Sequence, residues 1–568
     1  MVRTVPGRSG IGTSSVGPKP PGTGSVPGET DNHGASTLTP IDCQPGPVEG
    51  HPALRTDIDG GASAEPKPGE AGGALVAASA LTLIASATGM VIGLLRSKLV
   101  AVLLGPSGVG ILSNIGIYNA FVSTAGSAFA GQGSTRAIAV ARAEGRDERV
   151  DWLIRYSFLI PPAVGLLILA GTVALAPQVS ALVMGDSQYA SLIAISAIAI
   201  PLYLLGASYA GVLQGFVRIG SLAKASIATT IVSLLVTVSL IVPLGLMGAV
   251  VAGSIVALVQ LGIFFLREPW VVRGRRWRRR LDFNWPALRP VLELGLASVV
   301  VTIASTLVTL LIRSDIVRVL GIDQNGIYQP VTAISDTYLE VLISSTSFYL
   351  FPRLTELLSA GRRSEASDEI GHGLRVILAV TVPLLLLAIA FGEPIVVLLY
   401  SDRFRPAADP LAIQMAGNIL KVITWSAGVA LLPLGYYRAW LLIGIGNLAI
   451  KYIGVHLLLP ILGLDGVAIA YDVCWACTFL AYVFMVVAIG RVGPRPRDWR
   501  YALVAVALVA GTFGAHAMTH MLGMVIAVAA TVAWLAISRA DLADLARTLT
   551  TMARLRLLAL RRKRGLAG

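Results

Sequence analysis

Four cations stand where an apolar chain has no obvious use for them. Arg96 and Lys98 close one hydrophobic run (GMVIGLLRSKLVAVLLG), and Arg313 and Arg318 close another (TLVTLLIRSDIVRVLG). A charge at membrane depth is costly and usually faces a water-filled path or a partner. Two such pairs facing each other across a cavity would form a cationic chamber. Its natural guest is an anion such as a phosphate or diphosphate, which a guanidinium grips through two parallel hydrogen bonds. Lys421, deep in another apolar run, joins the same substrate-binding set. The plainer alternative is snorkelling toward the interface beside Asp315.

The acids in apolar runs suggest a second chemistry. Asp336 and Glu340 lie four residues apart and share a helix face. With Asp472 they are the candidates for carrying a coupling H+ or Na+, or simply for neutralising Lys421. Asn114, Tyr118, Gln329 and Tyr338 offer amides, hydroxyls and aromatic rings suited to sugars, although polar helix packing would explain them equally well.

Other chemistries find no support. Cys474 and Cys477 form a CxxC spacing inside an apolar run and read as small packing residues; with Cys43 they cannot build a disulfide framework. The six histidines are scattered and form no HExxH motif, so no metal site is expected. There is no phosphate-cradling GxxxxGK[ST] loop. No catalytic residue, cofactor or nucleic-acid partner is expected.

The elements that must position these residues follow from composition. The 568 residues are 55% hydrophobic and 14% charged, with a mean hydropathy of +0.74. An average soluble protein is about 25% charged, so this chain is read as an all-α, polytopic membrane protein. Residues 1–72, rich in Gly, Pro, Ser and Thr, read as a disordered tail. Apolar runs long enough to span a bilayer recur near 73–95, 109–132, 155–183, 189–214, 222–243 and 245–266, and again near 290–312, 326–351, 373–399, 409–433, 437–459 and 464–489. A shorter pair at 501–518 and 520–538 brings the total to about fourteen transmembrane helices.

The net charge of +13 has a geography. Arginines crowd the second, sixth, eighth and twelfth connections, most densely at 267–289, while the third, fifth and eleventh hold none. The positive-inside rule therefore places the even connections and both termini in the cytoplasm. The basic tail at 539–568 suits anionic lipid on that side. Trp270, Trp277 and Trp285 read as interfacial anchors.

The two sets of six runs also resemble each other. At offsets of 216–218 residues, Arg96 aligns with Arg313, Gly110 with Gly326, Pro177 with Pro394, Asp186 with Asp402 and Pro243 with Pro460. Six runs per unit is an even number, so both units enter the membrane in the same direction. The expected architecture is two parallel six-helix lobes, 73–266 and 290–489, related by a pseudo-twofold along the membrane normal. The Arg-rich linker 267–289 joins them, and the hairpin 501–538 is an addition.

Three stretches, KLVAVLLGPSGVG (98–110), GIYQPVTAISDTYLEVLISSTSFYLFPRLTELL (326–358) and LLYSDRFRPAADPLAIQMAGNILKV (398–422), closely resemble the Wzx-type O-antigen and enterobacterial common antigen translocases. These belong to the polysaccharide transporter branch of the multidrug/oligosaccharidyl-lipid/polysaccharide exporter superfamily. The resemblance implies two lobes in a V around a cationic lumen. It implies a flippase moving an oligosaccharide on undecaprenyl diphosphate across the bacterial inner membrane, for lipopolysaccharide or exopolysaccharide synthesis, beside polymerase and glycosyltransferase partners. Within it, Lys98, Asp336 and Lys421 fall inside matched motifs. The count of fourteen resembles the lipid II flippases instead, and a cation-coupled drug antiporter is the other alternative.

Overall fold

The computed structural model describes residues 70–127, 131–272, 285–547 and 550. The expected tail at 1–72 and the densest part of the 267–289 linker lie largely outside these residues, as does most of the basic C-terminal tail. Among the described residues there are helices and turns and no strand. In chain order the first half comprises α1 (Glu70–Ser127), α2 (Gly131–Ala143), α3 (Asp147–Ala174), α4 (Ala176–Met184), α5 (Ala190–Ala197), α6 (Ala199–Gly215) and α7 (Ile219–Arg267). The second half comprises α8 (Trp285–Leu320), α9 (Ile322–Thr332), α10 (Leu339–Ser359), α11 (Arg363–Ala390), α12 (Gly392–Leu399), α13 (Ala408–Gly428) and α14 (Tyr437–Val483). A terminal pair follows, α15 (Pro496–Met518) and α16 (His520–Ile537).

Nine helical stretches among the described residues are long and apolar enough to cross a membrane. Three of them, of 43, 49 and 51 residues, are too long for one crossing, because about 20 residues suffice. They lie in α1, α7 and α14, and each is interrupted by a glycine in the left-handed region: Gly105 (φ 67), Gly245 (φ 56) and Gly463 (φ 61). Only glycine enters this region without a Cβ penalty. The reversal in α14 shows in its own contacts. Asn447 Nδ2 donates to Thr478 Oγ1 at 2.8 Å, and Gly454 packs on Ala470. Gly321 (φ 91) makes the turn between α8 and α9. These four glycines mark one end of the bundle, here the glycine-turn end; the arginine-rich connections mark the other, the basic end.

The basic end is organised by its arginines. Arg142 lies over the Phe216 ring, 4.4 Å from its centroid, and donates to the Gly215 carbonyl. Arg218 pairs with Glu268 at 2.7 Å and stands over Trp270. Burial alone would raise the Glu268 carboxyl. Hydrogen bonds from Ser221, Trp270 and Arg218, with the Arg218 charge, hold it below its ordinary range instead. Trp270 thus has a packing and hydrogen-bonding role beyond the anchor read from sequence.

The terminal pair, read from sequence as an addition, is built into the largest core of the second half. Trp534 of α16 is fully buried, with its ring 4.5 Å from that of Tyr501 of α15, and donates its indole N–H to the Leu378 carbonyl of α11 at 3.2 Å. At the basic end, Arg375 of α11 binds both Asp498 and Asp541, which flank the pair. Replacing Trp534 with phenylalanine should lower stability by about 1–2 kcal/mol through the unpaired carbonyl and the lost volume. Thermal unfolding in detergent measures this, and an unchanged midpoint would detach the hairpin from the core.

Candidate functional site

At the glycine-turn end the two halves meet in a seam whose contacts come in reciprocal pairs. A Cβ on Gly110 would run into the Ile322 carbonyl, and a Cβ on Gly326 into the Pro106 carbonyl. The Ser107 hydroxyl donates to Asp323. Lys98 donates to the Leu398 carbonyl, and Ser314 donates to the Leu182 carbonyl. Every residue here has its counterpart 216 positions along: 98 and 314, 106 and 322, 107 and 323, 110 and 326, 182 and 398. Such mutual contact between equivalent residues is what a local twofold produces.

The acceptors in the last two pairs have a physical logic. Leu182 and Leu398 lie in the last turns of the short helices α4 and α12. Carbonyls in a last helical turn lack intrahelical partners and carry the negative end of the helix dipole. Lys98 supplies a cation to one. Serine at 314 brings no charge to the other, and Arg318 adds one by donating to the same Leu182 carbonyl at 3.0 Å. Arg403, passed over in the sequence, stands beside Gly105, its Nη1 3.2 Å from where a Cβ would sit. Lys98 and Arg318 therefore close the seam in this state.

The 216 register also corrects one alignment. Arg96 and Arg313 are 217 apart and are not equivalent; the counterpart of Arg313 is Ser97. Their surroundings differ accordingly. Arg313 is buried, donating to the Asn325 carbonyl (2.9 Å) and Oδ1 (3.1 Å), to Gln329 Oε1 (2.8 Å) and to Thr332 Oγ1 (2.7 Å). Its guanidinium lies 5.0 Å from the Tyr328 ring centroid. Arg96 is exposed. The four cations do not form one ring.

Asn325 carries the Arg313 network across the seam, donating to Asn114 Oδ1 at 2.9 Å and to the Gly110 carbonyl at 3.0 Å. Asn114 in turn donates to the Val183 carbonyl. Asn325 gave no signal in the repeat because its counterpart is Val109. Three proposed sugar contacts are thus occupied in packing: Asn114 as a strut, Gln329 on Arg313, and Tyr118 on Thr172 at 2.8 Å. The Tyr338 side chain lies outside the described residues.

The second polar cluster lies within the second half. The chain from Ala333 to Tyr338 makes a wider, i to i+5 turn between α9 and α10, a feature frequent at functional sites. It presents Asp336 to Lys421 of α13 at 3.0 Å. The Tyr471 hydroxyl of α14 accepts from Lys421 at 3.1 Å and lies 2.7 Å from Asp336 Oδ1 and 2.9 Å from Asn418 Oδ1. Lys421 is therefore ion-paired here, and Asp336 neutralises it. Glu340 is exposed. Asp472 sits against the backbone of Gly417, where a Cβ would strike its carboxyl. The three acids do not converge.

A cavity of about 460 Å³ opens in the first half between α1 and α6. Gly116, Asn119, Ser123, Thr124 and Ser127 give it one polar face, and Tyr203 stands opposite. Asn119 Oδ1 and the Ser123 hydroxyl are buried with no hydrogen-bond partner among the described residues. This polar face belongs to the same helix as Asn114 and Tyr118 but to the opposite side, which no one-dimensional reading distinguishes.

Among the described residues no group of three His, Cys, Asp or Glu side chains converges, and Cys474 and Cys477 are free thiols. The histidines are less scattered than the sequence suggested. His516 and His520 stand four apart with rings 4.6 Å from each other at the α15–α16 turn.

A helical bundle with apolar crossings and a seam at one end is the architecture of a multi-pass membrane protein. The chain belongs to the polysaccharide biosynthesis protein family, whose model matches residues 99–409. It is 28% identical over 160 residues to the lipid III flippases of Escherichia coli (strain K12) and Shigella flexneri; the match takes in 28% of this chain and 37% of theirs. Its fold is similar to that of the lipid II flippase MurJ in an inward closed conformation (TM-score 0.62, 14% identity, 81% of this chain and 99% of that one). It is also similar to an inward-facing multidrug resistance MATE transporter of the MOP superfamily (TM-score 0.59, 15% identity, 71% and 96%).

Proposed function

We propose that this chain is a flippase for an oligosaccharide on undecaprenyl diphosphate, moving it from the cytoplasmic to the periplasmic leaflet of the bacterial inner membrane for O-antigen or exopolysaccharide synthesis. The observation that carries this reading is the cavity of the first half, lined on one side by Asn119, Ser123, Thr124 and Ser127. Arg96 is the cation we assign to the diphosphate, and the cavity wall takes the first sugars. The helices are read as about fourteen crossings in two six-helix lobes plus the α15–α16 pair. The basic end and both termini face the cytoplasm, in keeping with the positive-inside rule.

On this reading the glycine-turn end faces the periplasm and is shut, while the cavity serves the side where substrate is made. Alternating access then requires the seam to part. Lys98 and Arg318 would lose their helix-end carbonyls and face the lumen, where they could follow the diphosphate. Arg313 and Lys421 act as positioning groups. Asp336, Glu340 and Asp472 are the candidates for H+ or Na+ coupling, and polymerase and glycosyltransferases would be the neighbours in the pathway. The MurJ-like span of the fold favours a lipid II-type guest as the second reading.

Gly116 supplies the test. It lines the cavity, and a Cβ there meets nothing within 4 Å. Gly116→Leu should fill the space without disturbing packing and cut surface-glycan export at least tenfold at unchanged protein level. Flipping of a labelled lipid-linked oligosaccharide against labelled lipid II in vesicles separates the two guests. Export at the wild-type level would sink the cavity assignment.

A further inference from the structure

One histidine–carboxylate pair of the second half has no place in the site described above. His456 of α14 and Asp315 of α8 face each other where the two helices pack, with Nδ1 3.5 Å from Oδ2. The Asp315 side chain is 16% exposed and that of His456 67%. Asp315 Oδ2 is buried and receives no hydrogen bond among the described residues. A carboxylate oxygen is costly to leave unsatisfied in such a place. The side chain set against it is of the one type whose charge ordinarily changes between about pH 5 and about pH 8.

The neighbouring charges are directed elsewhere. On α8, Arg313 is held by Asn325, Gln329 and Thr332, and Arg318 donates to the Leu182 carbonyl. On α1, Lys98 donates to the Leu398 carbonyl and Arg96 is exposed. On α9, Asp323 receives Ser107. Helix α4 carries no charge, and the arginines of α2, Arg136 and Arg142, belong to the basic end. On α13, Lys421 is paired with Asp336 and Asp409 is exposed. Within α14, Lys451 is turned to the Tyr471 ring, 5.0 Å from its centroid, and Asp472 to Gly417; Asp465 follows the Gly463 turn. Among the described residues, no other ion pair reaches His456 or Asp315. The first half has no such pair: Leu99 is the counterpart of Asp315, and VSL at 238–240, which answers to His456, holds no titratable group. The fold does not require this contact, since the other half is built without it.

Its position gives it a consequence. Asp315 follows Ser314 directly and precedes Arg318 by one turn, and both of those residues donate to the Leu182 carbonyl across the seam. A contact that fixes α8 against α14 at this level fixes the donors that α8 presents to the first half. We propose that His456 and Asp315 form a proton-operated clasp that firms the seam when His456 is charged and slackens it when His456 is neutral. An imidazolium supplies a charge-assisted N–H to the orphaned oxygen, and neutral imidazole supplies no charge. The clasp holds in acid and weakens as pH rises. That it senses the periplasm rests on the flippase reading; the clasp itself does not.

The readout is Ser107→Cys in the full chain, with Cys43, Cys474 and Cys477 replaced by alanine, in nanodiscs with a membrane-impermeant maleimide. Each rate is divided by that of the same chain in dodecyl sulfate at the same pH, which removes the thiol's own titration. The normalised rate should rise about fivefold or more from about pH 5.5 to about pH 8, the lower end of ordinary coupling between sites. His456→Gln and Asp315→Asn should hold the high value at both pH values. His456→Lys, a cation at both, should hold the low one. His456 is largely exposed, so its variants leave the packing intact. Equal rates at the two pH values in the chain with His456 and Asp315 intact, a pH response that survives both neutral variants, or a His456→Lys chain as reactive as His456→Gln overturns the proposal. The expected rates in a chain that exports no glycan would keep the clasp and overturn the flippase reading instead.

Discussion

Replacing Gly326 with valine is expected to reduce glycan export to the level of a deletion strain while the protein stays in the membrane in normal amount. The reason is steric and local. The first carbon of any side chain at 326 would enter the Pro106 carbonyl and come within 3.0 Å of the Gly110 nitrogen. Those are backbone atoms, which cannot swing aside as a long side chain can. Helix α9 itself tolerates valine, so the cost falls on the seam between the halves. Gly110→Val should behave alike, because its Cβ meets the Ile322 carbonyl in the equivalent way. Both variants should hold the glycine-turn end open. A cysteine at Ser107, which bonds Asp323 across the seam, should then react with a membrane-impermeant maleimide, and should be protected without the valine. Normal export from Gly326→Val would show that closure of this seam is not part of the transport cycle.

The second large effect concerns the Asp336–Lys421 pair. Lys421→Met leaves a carboxylate facing Tyr471 and Asn418 with no cation 3.0 Å away. Breaking a buried pair from one side costs about 3–5 kcal/mol. Asp336 keeps 29% side-chain exposure, so the lower end of that range applies. The variant should unfold at markedly lower temperature and accumulate poorly. Asp336→Asn combined with Lys421→Met removes both charges and should recover most of the stability, because neutral replacement of a whole pair is nearly free. Export by the recovered double variant then decides the role of the pair. Loss of export at restored stability assigns the pair to the transport cycle; wild-type export leaves it as scaffolding. Thermal stability together with glycan display reads both.

Some of this was legible in one dimension because it depends on local composition. Apolar runs of about twenty residues must be helices in lipid, since no water is there to satisfy a backbone polar group. Gly105, Gly245, Gly321 and Gly463, all with positive φ, stand where those runs must reverse. Arginine-rich connections are separated from arginine-free ones by sequence alone. The resemblance between the two sets of runs is visible as letters, and so is the presence of Lys98, Arg313, Asp336 and Lys421 at depths where a charge needs a reason.

What those charges touch was not legible. A helix turns about 100° per residue, so a one-residue error in register moves a side chain to another face. Aligning Arg96 with Arg313 made that error, and the reciprocal contacts at 216 replace Arg96 with Ser97. The same rotation sends Asn114 and Tyr118 into packing and leaves Asn119 and Ser123 on the cavity. Charge pairing is equally nonlocal. Lys421 meets Asp336 across 85 residues, and Lys98 meets the Leu398 carbonyl across 300. Sequence alone thus determined a helical membrane protein with a repeated plan and a few displaced charges. Tertiary structure decided which of those charges close a seam and which neutralise one another, because partners in a bundle are chosen by helix rotation and neighbour, neither of which a linear spacing contains.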